Sequence, residues 1–153
     1  MTIAILAHDS RKELALQFCT AYSAILSRNN VIATGTTGRM LAQTTGLPVH
    51  CYLSGKLGGV QQITSRVACD EVDLVLFFRD PLKADAASLT EQNLLRLCDM
   101  HSVPIATNIG LMNKIPGLQV IQYNLRHLFL YILSFHNLCL LEHLYIYRSR
   151  RTG

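Results

Sequence analysis

Val31-Ile32-Ala33-Thr34-Gly35-Thr36-Thr37-Gly38-Arg39-Met40-Leu41-Ala42 is the stretch whose reading decides the fold. A short apolar run ends in a Gly/Thr turn, and the turn opens into a helical pattern. Strand, tight turn and helix N-terminus in that order make a ready anion pocket. Backbone N–H groups are free there, the helix dipole adds partial positive charge, and the hydroxyls donate further hydrogen bonds. Gly35 and Gly38 are expected to let the backbone approach a ligand closely. The spacing is neither the dinucleotide fingerprint nor the P-loop, whose Lys-Ser/Thr ending is missing.

Outward from this turn the chain alternates. Ile3–Ala7 and Val72–Phe78 are apolar runs of the kind buried on both faces of a sheet. Val49–Leu53 and Pro104–Thr107 read as two further strands. Helical spacing is predicted over 10–28, with Leu14, Phe18, Ala21 and Ile25 inward, and over 35–45, where Gly46 and Pro48 stop it. Two more helices are predicted over 61–69 and 89–101, the latter with Leu94, Leu97 and Cys98 inward. Five strand–helix alternations with short connections predict a single three-layer α/β domain: an open, mainly parallel five-stranded sheet with helices on both faces. Ligands of such sheets sit beyond the carboxyl ends of the strands. Those ends hold His8-Asp9, the Thr34–Gly38 turn, Ser54-Gly55, Asp80 and Thr107-Asn108.

Composition narrows the class. Five scattered cysteines, none in C-x-x-C spacing, suit reduced cytoplasmic thiols rather than a disulfide framework or a zinc site. His127, His136 and His143 lack a carboxylate or cysteine to complete a ligand set, so no metal is expected. Met1-Thr2-Ile3-Ala4 enters a strand-like run with no basic leader. The net charge of +4 is not spread evenly. Residues 1–110 carry nine basic and nine acidic side chains, and the whole excess lies in 111–153. The body therefore has no electrostatic footprint for nucleic acid.

Taken together, the strand-end segments resemble methylglyoxal synthase. The matching pieces are Ala7-His8-Asp9 with Lys12, Ala33–Gly38, Leu53-Ser54-Gly55 with Gly58-Gly59 and Gln61-Gln62, Phe77-Phe78 with Asp80-Pro81-Leu82, Leu94-Leu95-Arg96-Leu97, and Pro104–Asn108. They fall in one register from residue 3 to about 109. Related modules form the regulatory end of carbamoyl phosphate synthetase and part of IMP cyclohydrolase. The Gly-Gly-x-Gln-Gln and Asp-Pro-Leu pieces favour the synthase branch.

The resemblance implies elimination of inorganic phosphate from dihydroxyacetone phosphate to give methylglyoxal, with no cofactor, in a cytoplasmic homohexamer. That chemistry needs a phosphate cradle, a carboxylate that removes a proton beside the carbonyl, and donors that stabilise the enediolate. Carried over residue by residue, the phosphate contacts fall on Lys12, Thr34, Thr36, Thr37, Ser54 and Gly55. Asp9 and Asp80 match active-site positions, and with His8 they make the candidate catalytic set. Two positions depart from the pattern. The family's principal carboxylate base lies between Gly-Gly and Gln-Gln, where this chain has Val60, which cannot take a proton. The family's His-Asp-Pro-Asp aligns with Ala87, Ser88, Leu89 and Thr90. Asp85 and Asp9 are the expected candidates to compensate. Weak or absent turnover is expected, and the alternative is a non-catalytic phosphate- or metabolite-binding regulatory domain.

After Asn108-Ile109-Gly110 the resemblance stops. A family domain over 1–110 is then followed by an atypical hydrophobic segment over 111–153. Residues 124–147 are rich in Leu, Phe, Ile and Tyr and run into Arg148-Ser149-Arg150-Arg151. Three readings are open: a membrane span, a buried or oligomer-covering helix, or an unrelated C-terminus from a shifted frame or a gene rearrangement. Ser134, His136, Asn137, Glu142 and His143 weigh against a span. The third reading is the most economical.

Overall fold

The computed structural model of the protein describes residues 1–82 and 88–115. The readings of Asp85, Ala87 and the 116–153 segment lie outside those residues. The apolar runs become five parallel strands: β1 (Thr2–Ala7), β2 (Asn30–Ala33), β3 (Val49–Cys51), β4 (Leu74–Phe78) and β5 (Ile105–Ala106). Their order is β3-β2-β1-β4-β5, and every neighbouring pair is parallel. β1 and β4 are the central strands. All five residues of β4 are buried, as a strand covered on both faces requires.

Helices α1 (Lys12–Ala21), α2 (Ser23–Leu26) and α3 (Gly35–Thr45) follow β1 and β2, and α4 (Gly59–Ala68), α5 (Ser88–Met100) and α6 (Ile109–Met112) follow β3, β4 and β5. α1 packs beside α3, and α4 beside α5. The α4/α5 face buries Ala4 and Leu6 of β1, Ile32 of β2 and Val75 and Phe77 of β4 against Ile63, Val67, Leu94 and Cys98. The opposite face receives Phe18, whose ring meets Phe78 at 5.5 Å and Tyr22 at 4.5 Å. Each fully buried Leu, Ile or Phe contributes about 1.5–3 kcal/mol, so the two faces together hold the sheet between helical layers.

Local departures from the sequence reading have physical causes. The single helix expected over 10–28 is broken at Tyr22, whose backbone leaves helical geometry at φ −105° and ψ 16°. Its ring is buried, and its hydroxyl donates to Asn113 Oδ1 at 3.1 Å. The inward stripe is Ala15, Phe18, Cys19, Tyr22 and Leu26, one position round from the expected Leu14, Ala21 and Ile25. β4 starts at Leu74, just after Asp73, whose carboxylate accepts from the Thr2 N–H at 2.6 Å and whose own N–H donates to the Thr2 carbonyl at 3.0 Å.

Gly35 and Gly38 also differ from expectation. A Cβ on Gly35 would lie 2.5 Å from the Tyr52 carbonyl oxygen, and one on Gly38 would lie 2.6 Å from Cys51 Sγ. These glycines admit β3 and its following loop against α3, rather than admitting a ligand. Among the described residues no helix is long and apolar enough to cross a membrane.

Candidate functional site

The chain crosses back over β1 after β3, so β1 and β4 flank the point where the winding reverses. In open parallel sheets that point is where a crevice opens. A cavity of about 540 Å³ lies there. It gathers the end of β1 (Leu6, Ala7, His8), Phe77 of β4, and the starts of α3, α4 and α5.

One end of the cavity is rich in donors. Lys12, Thr34, Thr36, Thr37, Ser54 and Gly55 all line it. Thr34 stands at the N-cap of α3, yet its side chain makes no capping bond; its hydroxyl lies 3.3 Å from that of Thr37. The Gly35 N–H is taken by the Leu53 carbonyl at 2.9 Å, and the Gly38 N–H by Thr34 at 2.7 Å. The first-turn N–H groups of Thr36 and Thr37 have no acceptor one turn back. The loop after β3 is pinned beside them. The Leu53 N–H donates to Gln62 Oε1 at 2.9 Å, and the Ser54 carbonyl accepts from Leu57 and Gly59. Lys12 Nζ lies 2.6 Å from Asp9 Oδ1, and Lys56 Nζ lies 3.9 Å from Asp9 Oδ2. The arrangement is a cation over hydroxyls and backbone donors, which suits a phosphate-sized anion.

The other end carries groups suited to proton transfer. His8 Nδ1 accepts from the Asp80 backbone N–H at 2.9 Å, so the ring proton sits on Nε2. Nε2 meets Glu91 Oε1 at 2.6 Å, and Arg79 Nε donates to Glu91 Oε2 at 3.2 Å. The His8 ring stands edge-on to Phe77 at 5.2 Å. Val60, at the start of α4, contributes only methyl groups to this end. Gln61 Nε2, 3.5 Å from Thr90 Oγ1, bridges the starts of α4 and α5.

The structure thus brings eight of the nine expected site residues to one cavity: His8, Asp9, Lys12, Thr34, Thr36, Thr37, Ser54 and Gly55. Asp80 is not among its lining. Its carboxylate accepts from Ser10 Oγ at 2.6 Å and from the Leu82 N–H at 3.2 Å, and Arg11 lies 3.6 Å away. The Ser10 and Leu82 bonds, then the Arg11 and His8 charges, hold its carboxyl below the ordinary carboxylate range. Asp80 staples the loop after β4, and its backbone orients His8. Asn108 likewise turns to its own helix, accepting from the Leu111 N–H at 2.9 Å.

Glu91 and Lys56 were not expected. Lys56 is an exposed loop lysine with no sequence signal beyond its neighbours. Glu91 did leave a signal: at 91, 94 and 98 it shares the buried stripe of α5 with Leu94 and Cys98. A glutamate on an apolar stripe, only 7% exposed, needs partners, and it has two. The buried thiols offer no nucleophile. Burial pushes Cys19 up to about 12, and burial with nearby Asp99 pushes Cys98 up to about 11. Among the described residues no group of three or more His, Cys, Asp or Glu could hold a metal ion.

Comparison with known proteins places this geometry. The profile of the MGS-like domain matches residues 15–107. The methylglyoxal synthase of Caldicellulosiruptor saccharolyticus is 53% identical over 110 residues, covering 72% of this chain and 78% of the relative. That of Oceanobacillus iheyensis is 49% identical over 110 residues, covering 72% and 79%. The crystal structure of methylglyoxal synthase from Elizabethkingia anophelis is similar at a TM-score of 0.66 and 33% identity, covering 76% of this chain and 79% of that one.

Proposed function

Because the chain belongs to the methylglyoxal synthase family, we propose that its cavity binds dihydroxyacetone phosphate and inorganic phosphate. The observation that carries this reading is the convergence of Lys12, Thr34, Thr36, Thr37, Ser54 and Gly55 on one wall. The phosphate lies against the N-terminus of α3, with Lys12 supplying the counter-charge. The triose then extends toward His8, Val60 and Glu91. Elimination of phosphate to give methylglyoxal is slow in this chain, since Val60 offers no base where the family has one. No cofactor takes part. The non-catalytic alternative rests on that same valine.

Asp9 acts beside Lys12, steering the cation as the phosphate enters. His8 presents its Nε2 proton to the carboxylate end. Asp80 works through the loop and through His8, not on the ligand. The family domain ends near residue 110, where the resemblance ends. The protein is cytoplasmic, in keeping with its free cysteines. It assembles with copies of itself, a reading supported by the exposed Leu53, Leu57, Leu82 and Leu89.

Calorimetry tests the binding site. Dihydroxyacetone phosphate and inorganic phosphate bind the wild-type chain. Lys12→Ala weakens both by about 10–100-fold, as loss of a charged hydrogen bond does, and Thr36→Ala by about fivefold. Equal affinity in the three proteins removes the site assignment. Methylglyoxal formation at rates near the enzymatic median of ~10 s⁻¹ contradicts slow turnover.

A further inference from the structure

We propose that Glu91 is the base of this pocket, a carboxylate at the start of α5 standing in for the one that Val60 removes from the start of α4. This rests on the reading of the cavity as a triose phosphate site. α4 and α5 lie side by side on one face of the sheet, and the Gln61–Thr90 contact ties their first turns together. Val60 and Glu91 open onto the same cavity. A carboxylate lost from one helix start is therefore present on its neighbour, facing the same ligand.

The surroundings of Glu91 fit work rather than mere solvation. Its side chain is nine-tenths buried, in the first turn of α5, where the helix dipole favours an acidic group. A buried carboxylate without a task is a cost that a neutral residue avoids. His8 and Arg79 hold one oxygen each, and each oxygen keeps a further lone pair for a proton. The Asp80 N–H fixes the His8 ring from the other side, so the carboxylate is aimed by a chain of hydrogen bonds that begins in the backbone.

The step balances as follows. Glu91 takes one hydrogen, as a proton, from the hydroxyl-bearing carbon beside the carbonyl. The C–H electron pair becomes the carbon–carbon double bond of the enediolate, and the negative charge passes from the carboxylate to the carbonyl oxygen. The Gln61 amide lines the same space and donates to that oxygen. Glu91 returns its proton to the carbonyl oxygen and, a carboxylate again, takes the proton of the terminal hydroxyl as the double bond shifts toward the phosphate-bearing carbon; that proton then passes to the departing phosphate. The carbon–oxygen bond to phosphate breaks, and phosphate leaves with the electron pair. The released enol aldehyde becomes methylglyoxal by a proton shift.

Proton removal is measured apart from phosphate loss by incubating the full chain with dihydroxyacetone phosphate in deuterium oxide. Proton magnetic resonance follows exchange at the hydroxyl-bearing carbon. Exchange of one of its two hydrogens is expected in the wild-type chain. Glu91→Gln, which keeps an oxygen for the His8 N–H, is expected to lower exchange by about 10²-fold or more. Its affinity for inorganic phosphate by calorimetry should be unchanged or tighter. Glu91→Asp, which retains the carboxylate on a shorter arm, should fall between them and covers the case in which the glutamine variant does not fold. Exchange retained in Glu91→Gln overturns the proposal. So does absence of exchange in a wild-type chain that binds phosphate, which leaves a pocket without a base. If the wild-type chain does not bind phosphate, the reading of the cavity fails first and this proposal fails with it.

Discussion

The two ends of the cavity answer different physical demands. The end proposed for phosphate is built from the turns after β2 and β3 and gathers several donors suited to an anion, two of them backbone N–H groups. Binding of that kind is distributed, so no single side chain decides it. The end proposed for proton transfer is built from the starts of α4 and α5, and chemistry there would depend on one carboxylate being in one place. On the proposed reading, valine at position 60 bears on that end alone and leaves the donor-rich wall as it is. The contrast teaches that recognition spread over many donors and chemistry resting on one group respond differently to a single side chain.

The largest test of that contrast adds a carboxylate back. Val60→Asp should raise methylglyoxal formation by about 10²–10⁴-fold, the usual worth of a positioned base. Val60→Asn, of similar size, should give no gain. In the Val60→Asp background, Glu91→Gln should matter far less than in the wild-type chain, because two bases would then serve one proton. A Val60→Asp protein that binds phosphate but gains nothing would mean that the proton-transfer end has lost more than one group.

A second test strikes both ends together. Gly59 precedes Val60 and lies under the loop of Ser54, and a Cβ there would sit 1.9 Å from the Leu53 carbonyl oxygen. Gly59→Ala must push backbone apart, at about 2–4 kcal/mol by the general run of severe steric substitutions. Thermal denaturation should show the loss, and phosphate affinity and turnover should fall in parallel. A variant that loses only one of the two would show that the ends are less coupled than the shared loop implies.

The smallest effect belongs to the Asp80 carboxylate, which is turned to Ser10, Leu82 and Arg11 and touches neither end directly. Its carboxyl is held below the ordinary range, so its folded-state value lies under its unfolded one. The ionised form then contributes stability that is fully present above the unfolded value of about 4. It is lost as pH falls through the folded value. Asp80→Asn should melt slightly earlier than wild type at neutral pH, and the gap should close on acidification below the ordinary carboxylate range. A gap that persists in acid would tie the effect to the loop's packing and not to charge.

How much of this was legible in the sequence follows the same division. The strands were legible because parallel strands buried on both faces are continuous apolar runs, as Leu74–Phe78 is. The convergence of Lys12, Thr34, Thr36, Thr37, Ser54 and Gly55 on one cavity was legible because these residues come in short contiguous pieces near strand ends. Glu91 was missed because one glutamate in a helical stretch reads as a solvated side chain. Only its place in line with Leu94 and Cys98 sets it apart. The partners of Asp80 were hidden for the opposite reason. Its position matches an active-site motif, yet Ser10, Leu82 and Arg11 occupy its carboxylate. The glycines of the Thr34–Gly38 turn were assigned to a ligand because sequence does not show that β3 and its loop press on α3. The rotated stripe of α1 depended on Tyr22 finding Asn113, a contact 91 residues away.

The bond between the Asp80 N–H and His8 Nδ1 has one more consequence. The His8 N–H donates to the Phe78 carbonyl at 3.1 Å, the last backbone rung between β1 and β4. One step further along the seam, the rung is completed by an imidazole in place of a carbonyl. The sheet is in effect extended by a side chain whose ring nitrogen accepts only while the ring proton sits on the other nitrogen. A ring protonated on Nδ1 can no longer accept, and the rung opens. The solvent exchange of a single backbone hydrogen, on Asp80, therefore reads out which nitrogen of His8 holds the proton, from a position that no ligand has to touch.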